Sequence, residues 1–172
     1  LVLDKRIELK PLVSGGGHEQ GLRSGTENVP GIVGFGAACE LAMQRMHDLA
    51  PRLAEMRDQL ERGLNGTGAM IFGANAPRIP NTSYFTFPGI EGETLVIELD
   101  KAGFAVASGA ACSSTSTEPS ATLLAMGIAP VLARGAVRFS LGKDNRPEQV
   151  EEFLNMLAAT VARLRRLTAI AV

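Results

Sequence analysis

The sequence predicts an α+β fold, in which helices pack on one face of a small β-sheet. Long segments carry apolar residues at the three-to-four-residue spacing of a helix that buries one side. Shorter runs rich in Phe, Val and Thr are bounded by Gly and Pro, which is typical of strands. The two kinds of segment interleave irregularly along the chain, and this order indicates an α+β layer.

The first part of the chain is predicted to lead from a strand through a loop into a helix. Residues 1–13 are expected to form a short strand and connection, and residues 14–28 a loop with five glycines. Asn28 and Pro30 fit the cap and the first turn of a helix. The predicted buried stripe of this helix consists of Ile32, Phe35, Cys39, Ala42, Met43, Met46 and Leu49.

A proline and a glycine-rich stretch bound the next predicted helix. Pro51 begins or kinks it, and the glycines within residues 63–68 end it. Its expected inward positions are Leu53, Met56, Leu60 and Leu64.

The rest of the chain is predicted to supply the sheet and its remaining helices. Strands are expected over residues 70–72, 82–87, 104–107 and 136–141. Helices are expected over Gly92–Lys101, from Pro119 to Gly127, and from Pro147 onward. The expected inward positions of the first and last of these helices are Leu95, Val96, Leu99, Val150, Phe153, Leu154, Leu157, Val161 and Leu164, whereas Arg163, Arg165 and Arg166 should face solvent.

Composition narrows the class of protein. Hydrophobic residues make up 45% of the chain and charged residues 20%, as in a globular domain with a packed core. The net charge of −1 and the dispersed basic residues predict neither nucleic acid nor an anionic membrane as a partner. No apolar run reaches the roughly 18 residues of a spanning helix. Two cysteines, too few for a disulfide scaffold, fit a cytoplasmic protein.

Cys112 is the residue that most strongly suggests chemistry. It lies in a run of small and hydroxylic residues from Ser108 to Thr117, without a large apolar side chain. A cysteine that must reach a substrate needs an open loop of this kind, and loop amides and hydroxyls can stabilise its thiolate. Cys39, on the apolar stripe of a helix, is expected to be a buried small hydrophobe.

Two further segments could bind anions. The glycines at 15–17 would let backbone N–H groups approach a phosphate, and Arg23, Ser24 and Thr26 would add a cation and two hydroxyls, although glycines also merely turn a chain. Arg138 lies in an apolar strand pattern, where a guanidinium must be paired or aimed at a ligand such as a carboxylate. A structural salt bridge or a solvent-facing strand edge would also explain an arginine at position 138.

Three segments together resemble the cysteine desulfurases of the class-V aminotransferase family. They are Gly15-Gly16-Gly17-His18-Glu19-Gln20-Gly21-Leu22-Arg23-Ser24-Gly25-Thr26-Glu27-Asn28, Ser108-Gly109-Ala110-Ala111-Cys112-Ser113-Ser114 and Arg134-Gly135-Ala136-Val137-Arg138-Phe139-Ser140-Leu141-Gly142. The likeness runs in order over nearly the whole chain. It implies that the chain is the C-terminal part of a pyridoxal-phosphate-dependent enzyme that takes sulfur from L-cysteine and releases L-alanine.

The resemblance implies a role for three residues. Cys112 corresponds to the nucleophile that holds the sulfur as a persulfide, and in some members it also contacts a nascent iron–sulfur cluster. Arg138 corresponds to the arginine that binds the substrate carboxylate. Thr26 corresponds to the residue that reaches the phosphate of pyridoxal 5'-phosphate in the other subunit of a homodimer. The stretch between Cys112 and Arg138 resembles the longer-loop branch, whose members pass sulfur to iron–sulfur scaffold proteins.

The resemblance also implies that the cofactor site is incomplete in this chain. The family's Schiff-base lysine lies in a Ser-x-His-Lys context upstream of these motifs, and no lysine here has that context: Lys5, Lys10, Lys101 and Lys143. We therefore expect the chain by itself to bind the cofactor poorly and to lack turnover. Because it opens on Leu1 without a methionine, we also expect it to be a fragment, a processed product or a chain whose upstream half is missing.

Residues 1–28 are then expected to be the end of the large cofactor-binding domain of a fold-type I transferase. Residues 29–172 are expected to be its small domain, carrying the catalytic-cysteine loop. Two other functions stay open at this point. One is a catalytically silent module that carries sulfur on Cys112, and the other is a sister activity, selenocysteine lyase or cysteine sulfinate desulfinase.

Overall fold

The computed structural model describes residue 4, residues 6–109 and residues 118–170 of the chain. It divides into two compact units, Leu1–Met46 and His47–Val172. The predicted division at residue 28 concerns the domains of a longer enzyme and stays a prediction.

In the first unit, the strand predicted at the start of residues 1–13 falls largely outside the described residues, and residue 4 and residues 6–13, which are described, form no strand. A short 3-10 helix, His18–Gly21, interrupts the glycine-rich loop. Glu19 and Gln20 within it have positive φ angles of 51° and 57°.

The first helix, α1 (Val29–Leu64), is one continuous helix of 36 residues. Pro51, which was predicted to begin or kink a second helix, lies inside it. Asn28 Oδ1 accepts a hydrogen bond from Gly31 N at 3.1 Å, which confirms the predicted cap.

The apolar stripe predicted in the first half of α1 is exposed except at Leu49, which is partly buried, and this corrects the expectation that the whole stripe is buried. Phe35 and Met43 are 73% and 71% exposed, and Cys39 is exposed as well. Helical spacing predicts that these side chains share a face, but burial requires a partner surface. The described residues of this unit do not supply one.

The second unit contains a four-stranded antiparallel sheet in the order β1-β2-β4-β3. The strands are β1 (Met70–Ile71), β2 (Thr82–Thr86), β3 (Ala107–Ser108) and β4 (Ala136–Ser140). All lie near predicted strands but are shorter; β3, for example, covers only Ala107 and Ser108, which pair with β4. The two inner strands, β2 and β4, pair over five residues each.

The main core lies on one face of the sheet, against the C-terminal half of α1 and two further helices, α2 (Gly92–Lys101) and α5 (Pro147–Ile170). Phe85 and Val137 point into it from the inner strands and are fully buried. The predicted inward positions of these helices are confirmed, with Val96 and Leu154 only partly buried. Phe153 of α5 packs its ring on Phe104 and Phe139, with centroids 5.4 Å and 4.6 Å away.

Two short helices, α3 (Ala121–Ala125) and α4 (Pro130–Arg134), contribute a second, smaller apolar cluster. Leu123 of α3 and Ala133 of α4 pack there with Ala136 of β4, which is on the opposite side of the sheet from Val137. Helix α3 was predicted to start at Pro119; it starts two residues later, capped by the Ser120 hydroxyl. Helix α4 was not predicted, because five residues are too few to show a helical period.

Candidate active site

Arg138 projects from the sheet face opposite the main core. It lies in the middle of β4, where its neighbours Val137 and Phe139 are buried and Arg138 itself is exposed. Because β4 is an inner strand, Arg138 does not lie at a sheet edge. Its guanidinium forms no ion pair or hydrogen bond with the described residues. It is therefore a cation held on a rigid strand and available to an anion.

Tyr84 is the direct neighbour of Arg138 across the sheet, in β2. Burial raises the pKa of the Tyr84 hydroxyl, and a hydrogen bond with Ser120 and the charge of Arg138 oppose that rise in part. The phenol is thus neutral at physiological pH and can donate a hydrogen bond. Tyr84 was not among the predicted site residues, because strand pairing between residues 84 and 138 is not visible in a local pattern.

Cys112, predicted as the nucleophile and as a transient cluster ligand, lies outside the described residues. It falls between Gly109, which follows β3, and Glu118, which precedes α3. Gly109 N donates to Ala136 O at 2.8 Å, so the described end of this segment is hydrogen-bonded to the strand that carries Arg138.

Thr26, in the first unit, is exposed in the glycine-rich loop. The loop uses its other predicted donors internally: Arg23 Nη1 donates to Thr26 O at 2.8 Å and to Gly25 O at 3.2 Å, and the buried Ser24 hydroxyl donates to Gly16 O at 2.7 Å. These bonds fix the backbone around Thr26. The Thr26 hydroxyl itself bonds no described residue.

A second contact braces the same loop. His18 Nδ1 and Glu27 Oε1 are 2.8 Å apart, and this hydrogen bond lowers the pKa of the Glu27 carboxyl. The loop can therefore contribute one hydrogen-bond donor to a phosphate site, the hydroxyl of Thr26, and its internal hydrogen bonds hold that residue in place. It does not form a complete phosphate cradle by itself.

The second unit also contains a partly buried polar network that was not predicted from the sequence. Glu61 of α1 accepts two hydrogen bonds from Arg78, at 2.6 Å and 3.0 Å, and one from the buried Ser83 of β2, at 2.7 Å. Burial alone would raise the pKa of Glu61, but these hydrogen bonds outweigh it and the pKa lies below its usual value. The network joins helix to sheet on the core face, away from Arg138.

Among the described residues, no three His, Cys, Asp or Glu side chains are grouped so as to hold a metal ion. Within the same residues, no helix is both long and apolar enough to cross a membrane.

The sequence model of the class-V aminotransferase family matches residues 8–153. The chain belongs to this family. Class-V aminotransferases similar to it include the cysteine desulfurase of Enterobacter agglomerans, 46% identical over 170 residues, and that of Gluconacetobacter diazotrophicus, 41% identical over 170 residues. Each likeness covers 98% of this chain and 42% of the relative, so the chain spans about two fifths of their length.

Solved structures agree with this family assignment. A NifS-like protein matches with a TM-score of 0.78 and 37% identity, covering 92% of this chain and 40% of that one. The NifS-like protein of Rickettsia africae matches with a TM-score of 0.78 and 28% identity, and the match covers 91% of this chain and 41% of that one. The predicted α+β fold of a class-V aminotransferase is thereby confirmed.

Proposed function

We propose that this chain is the part of a cysteine desulfurase that binds the carboxylate of L-cysteine and accepts its sulfur. The placement of Arg138 carries the proposal. Its guanidinium is exposed on an inner strand, has no partner among the described residues, and lies next to β3, which leads in sequence to Cys112. A planar guanidinium can grip a carboxylate through two parallel hydrogen bonds.

In the proposed reaction, Arg138 orients L-cysteine and the Cys112 thiolate attacks the substrate's sulfur. The bond between that sulfur and the substrate's Cβ breaks, a new S–S bond forms on Cys112, and the Cβ takes up a proton to give L-alanine. One sulfur atom moves and no external oxidant is needed: L-cysteine and the thiol give L-alanine and a persulfide.

Pyridoxal phosphate, when bound, supplies the electron sink that makes the substrate's C–S bond breakable. In this chain the Thr26 hydroxyl would donate a hydrogen bond to the phosphate. Arg23 and the His18–Glu27 pair would keep the loop in place. The lysine context that holds the cofactor ring is absent from the sequence given. We accordingly propose that turnover requires residues beyond this chain.

The same proposal extends to partners and location. The persulfide would pass to a sulfur acceptor such as an iron–sulfur scaffold protein, with Cys112 as a transient cluster ligand. The complete enzyme would be a homodimer in the cytoplasm, with Thr26 serving the partner subunit's cofactor.

The test uses the full product of the gene that encodes this chain. Cys112→Ser should abolish sulfide release from L-cysteine and the one-sulfur mass increase on the protein, while cofactor absorbance is unchanged. Cys39→Ser is the matched control and should keep turnover, because that cysteine carries no proposed role. Turnover that survives Cys112→Ser, or is lost in Cys39→Ser with the fold intact, contradicts the proposal. Turnover of selenocysteine and of cysteine sulfinate, measured beside that of L-cysteine, shows which of the three is the preferred substrate.

A further inference from the structure

Asn65 and Gly66 lie in the turn that directly follows α1, which ends at Leu64. Both residues are exposed. Gly66 has a φ angle of 82°, in the left-handed region that glycine adopts readily at the end of a helix. A Cβ added at Gly66 would have no neighbour within 4 Å, so the space around this part of the backbone is open.

Two groups of this turn are available to react with each other. The backbone N–H groups on either side of Gly66 are used, since Asn65 N donates to Arg62 O and Thr67 N to Leu64 O, each at 3.2 Å. The Gly66 N between them donates to no described residue. The side-chain amide of Asn65 likewise forms no hydrogen bond with the described part of the chain. The Asn65 carbonyl carbon and the Gly66 nitrogen are thus both accessible, and a five-membered ring can close between them.

The other asparagines lack this combination. The side chains of three of them are held in hydrogen bonds: Asn28, Asn81 and Asn145. Asn155 lies inside α5, where backbone N–H groups bond within the helix. Asn75 is exposed in a turn, as Asn65 is, but the next residue, Ala76, carries a side chain and its N donates to a backbone carbonyl at 3.0 Å. Asn75 is therefore the matched comparison for Asn65.

We propose that Asn65 is a site of spontaneous deamidation, in which the Gly66 N attacks the side-chain carbonyl carbon of Asn65. A bond forms between that nitrogen and Cγ, and the bond between Cγ and Nδ2 breaks. Nδ2 leaves as ammonia, taking the proton that the Gly66 N loses. Water then opens the succinimide ring at either carbonyl and leaves aspartate or isoaspartate at position 65. No oxidant or reductant takes part, and the chemistry is independent of the proposed function.

The modification would alter the contact between the end of α1 and α5. Arg165 of α5 donates to Thr67 O at 3.3 Å and lies over the Phe87 ring, with Cζ 5.9 Å from the centroid. Aspartate at position 65 would place a negative charge at the C-terminal end of a helix, where the helix dipole disfavours it. Isoaspartate would in addition lengthen the main chain by one carbon atom before Thr67. Deamidation should therefore weaken the packing of the two helices.

The test incubates the folded full gene product at mildly alkaline pH and follows its asparagines by peptide mapping with mass spectrometry. Asn65 and Asn75 fall in one tryptic peptide, so fragment masses assign the change from amide to carboxylic acid. Asn65 should change at least about tenfold faster than Asn75, because glycine leaves the attacking nitrogen without a neighbouring side chain. Protein L-isoaspartate methyltransferase should label position 65.

A blocking variant leaves the backbone of the turn untouched. Asn65→Gln keeps Gly66 and should abolish methyltransferase labelling, because ring closure from the longer side chain is slower. Asn75→Gln is its control and should leave the labelling unchanged. After incubation, wild type should unfold at a lower urea concentration than fresh protein, whereas Asn65→Gln incubated in parallel should not. A modified wild type with an unchanged unfolding midpoint would overturn the effect on the helix contact.

The role of the folded turn is tested against the guanidinium-unfolded chain. Unfolding should accelerate the change at Asn75, since it releases the Ala76 N, but should alter the rate at Asn65 by less than about threefold, because the folded turn already leaves that site open. An Asn65 that stays intact in the folded protein, or changes no faster than Asn75, overturns the proposal. So does a site that reacts only after unfolding. None of these measurements uses desulfurase activity, so a failure of the proposed function would leave their outcome unaffected.

Discussion

Arg138 illustrates how a single strand position determines what a charged residue can do. Alternation along β4 buries Val137 and Phe139 in the core and leaves Arg138 on the opposite face. A buried arginine would need a partner to offset its desolvation, but an exposed one on an inner strand does not. The salt bridge that the sequence left open is not formed with the described residues.

Arg138→Lys should raise KM for L-cysteine strongly in the full gene product. Lysine keeps the charge but loses the planar pair of donors, so a charge-assisted contact of about 2–4 kcal/mol is weakened and kcat/KM should fall some tens- to several-hundred-fold. Arg134→Lys, at an exposed position at the end of α4, is the control and should behave as wild type. A KM equal to that of wild type in Arg138→Lys would contradict the proposal that Arg138 binds the substrate carboxylate.

At the scale of the elements, the Glu61 network fixes helix α1 to the sheet. Glu61 links α1 to Arg78 in the β1–β2 connection and to Ser83 in β2, and the side chains of Glu61 and Arg78 are 14% and 18% exposed. Removing one partner of such a pair leaves the other partly buried and unpaired. The network therefore sets where α1 lies against β2.

Glu61→Gln should destabilise the second unit by about 2 kcal/mol at neutral pH, measured by urea unfolding. The carboxyl has a lowered pKa in the folded state, so its contribution is fully present above its ordinary pKa of 4.5 and is lost as the pH falls through the lower folded value. The difference between wild type and Glu61→Gln should shrink in that acid range.

Asp58→Asn is the control for this prediction. Asp58 lies on the same helix and forms an ion pair with its neighbour Arg57, at 2.7 Å, with its own side chain 47% exposed. Its loss should change stability by less than about 1 kcal/mol. A pH-independent difference for Glu61→Gln would show that the carboxylate charge is not what stabilises the network.

At the scale of the whole molecule, the two units differ in how they use their apolar residues. The second unit buries its apolar positions in two clusters. The described part of the first unit instead exposes the stripe of α1, with Ile32 57% and Met46 58% exposed. An apolar surface of this kind tends to associate in water.

The chain alone should therefore self-associate as its concentration rises, detectable by sedimentation velocity. Replacing Phe35 and Met43 with Ser removes two large exposed side chains of the stripe and should shift association to higher concentration. The matched control replaces Ile79 and Met126, which are 64% and 56% exposed in the second unit, and should leave association unchanged. Equal effects of the two pairs would mean that the stripe is not the associating surface.

The sequence by itself determined the features that depend on local periodicity. Helix α2 was predicted with its observed bounds, and the inward positions of α5 and of the second half of α1 were predicted as well. A helical period depends only on residues close together in the sequence, so it can be recognised without knowing what the helix packs against. The family motifs, which are also contiguous, led to the class-V aminotransferases for the same reason.

Tertiary structure alone decided what depends on partners distant in the sequence. Cys39 and Phe35 have the spacing of core residues but are exposed, since periodicity does not say whether a face is covered. The sheet order, and with it the pairing of Tyr84 with Arg138, joins residues 54 positions apart. Such contacts form because chain segments meet in space, and no local pattern records which segments will meet.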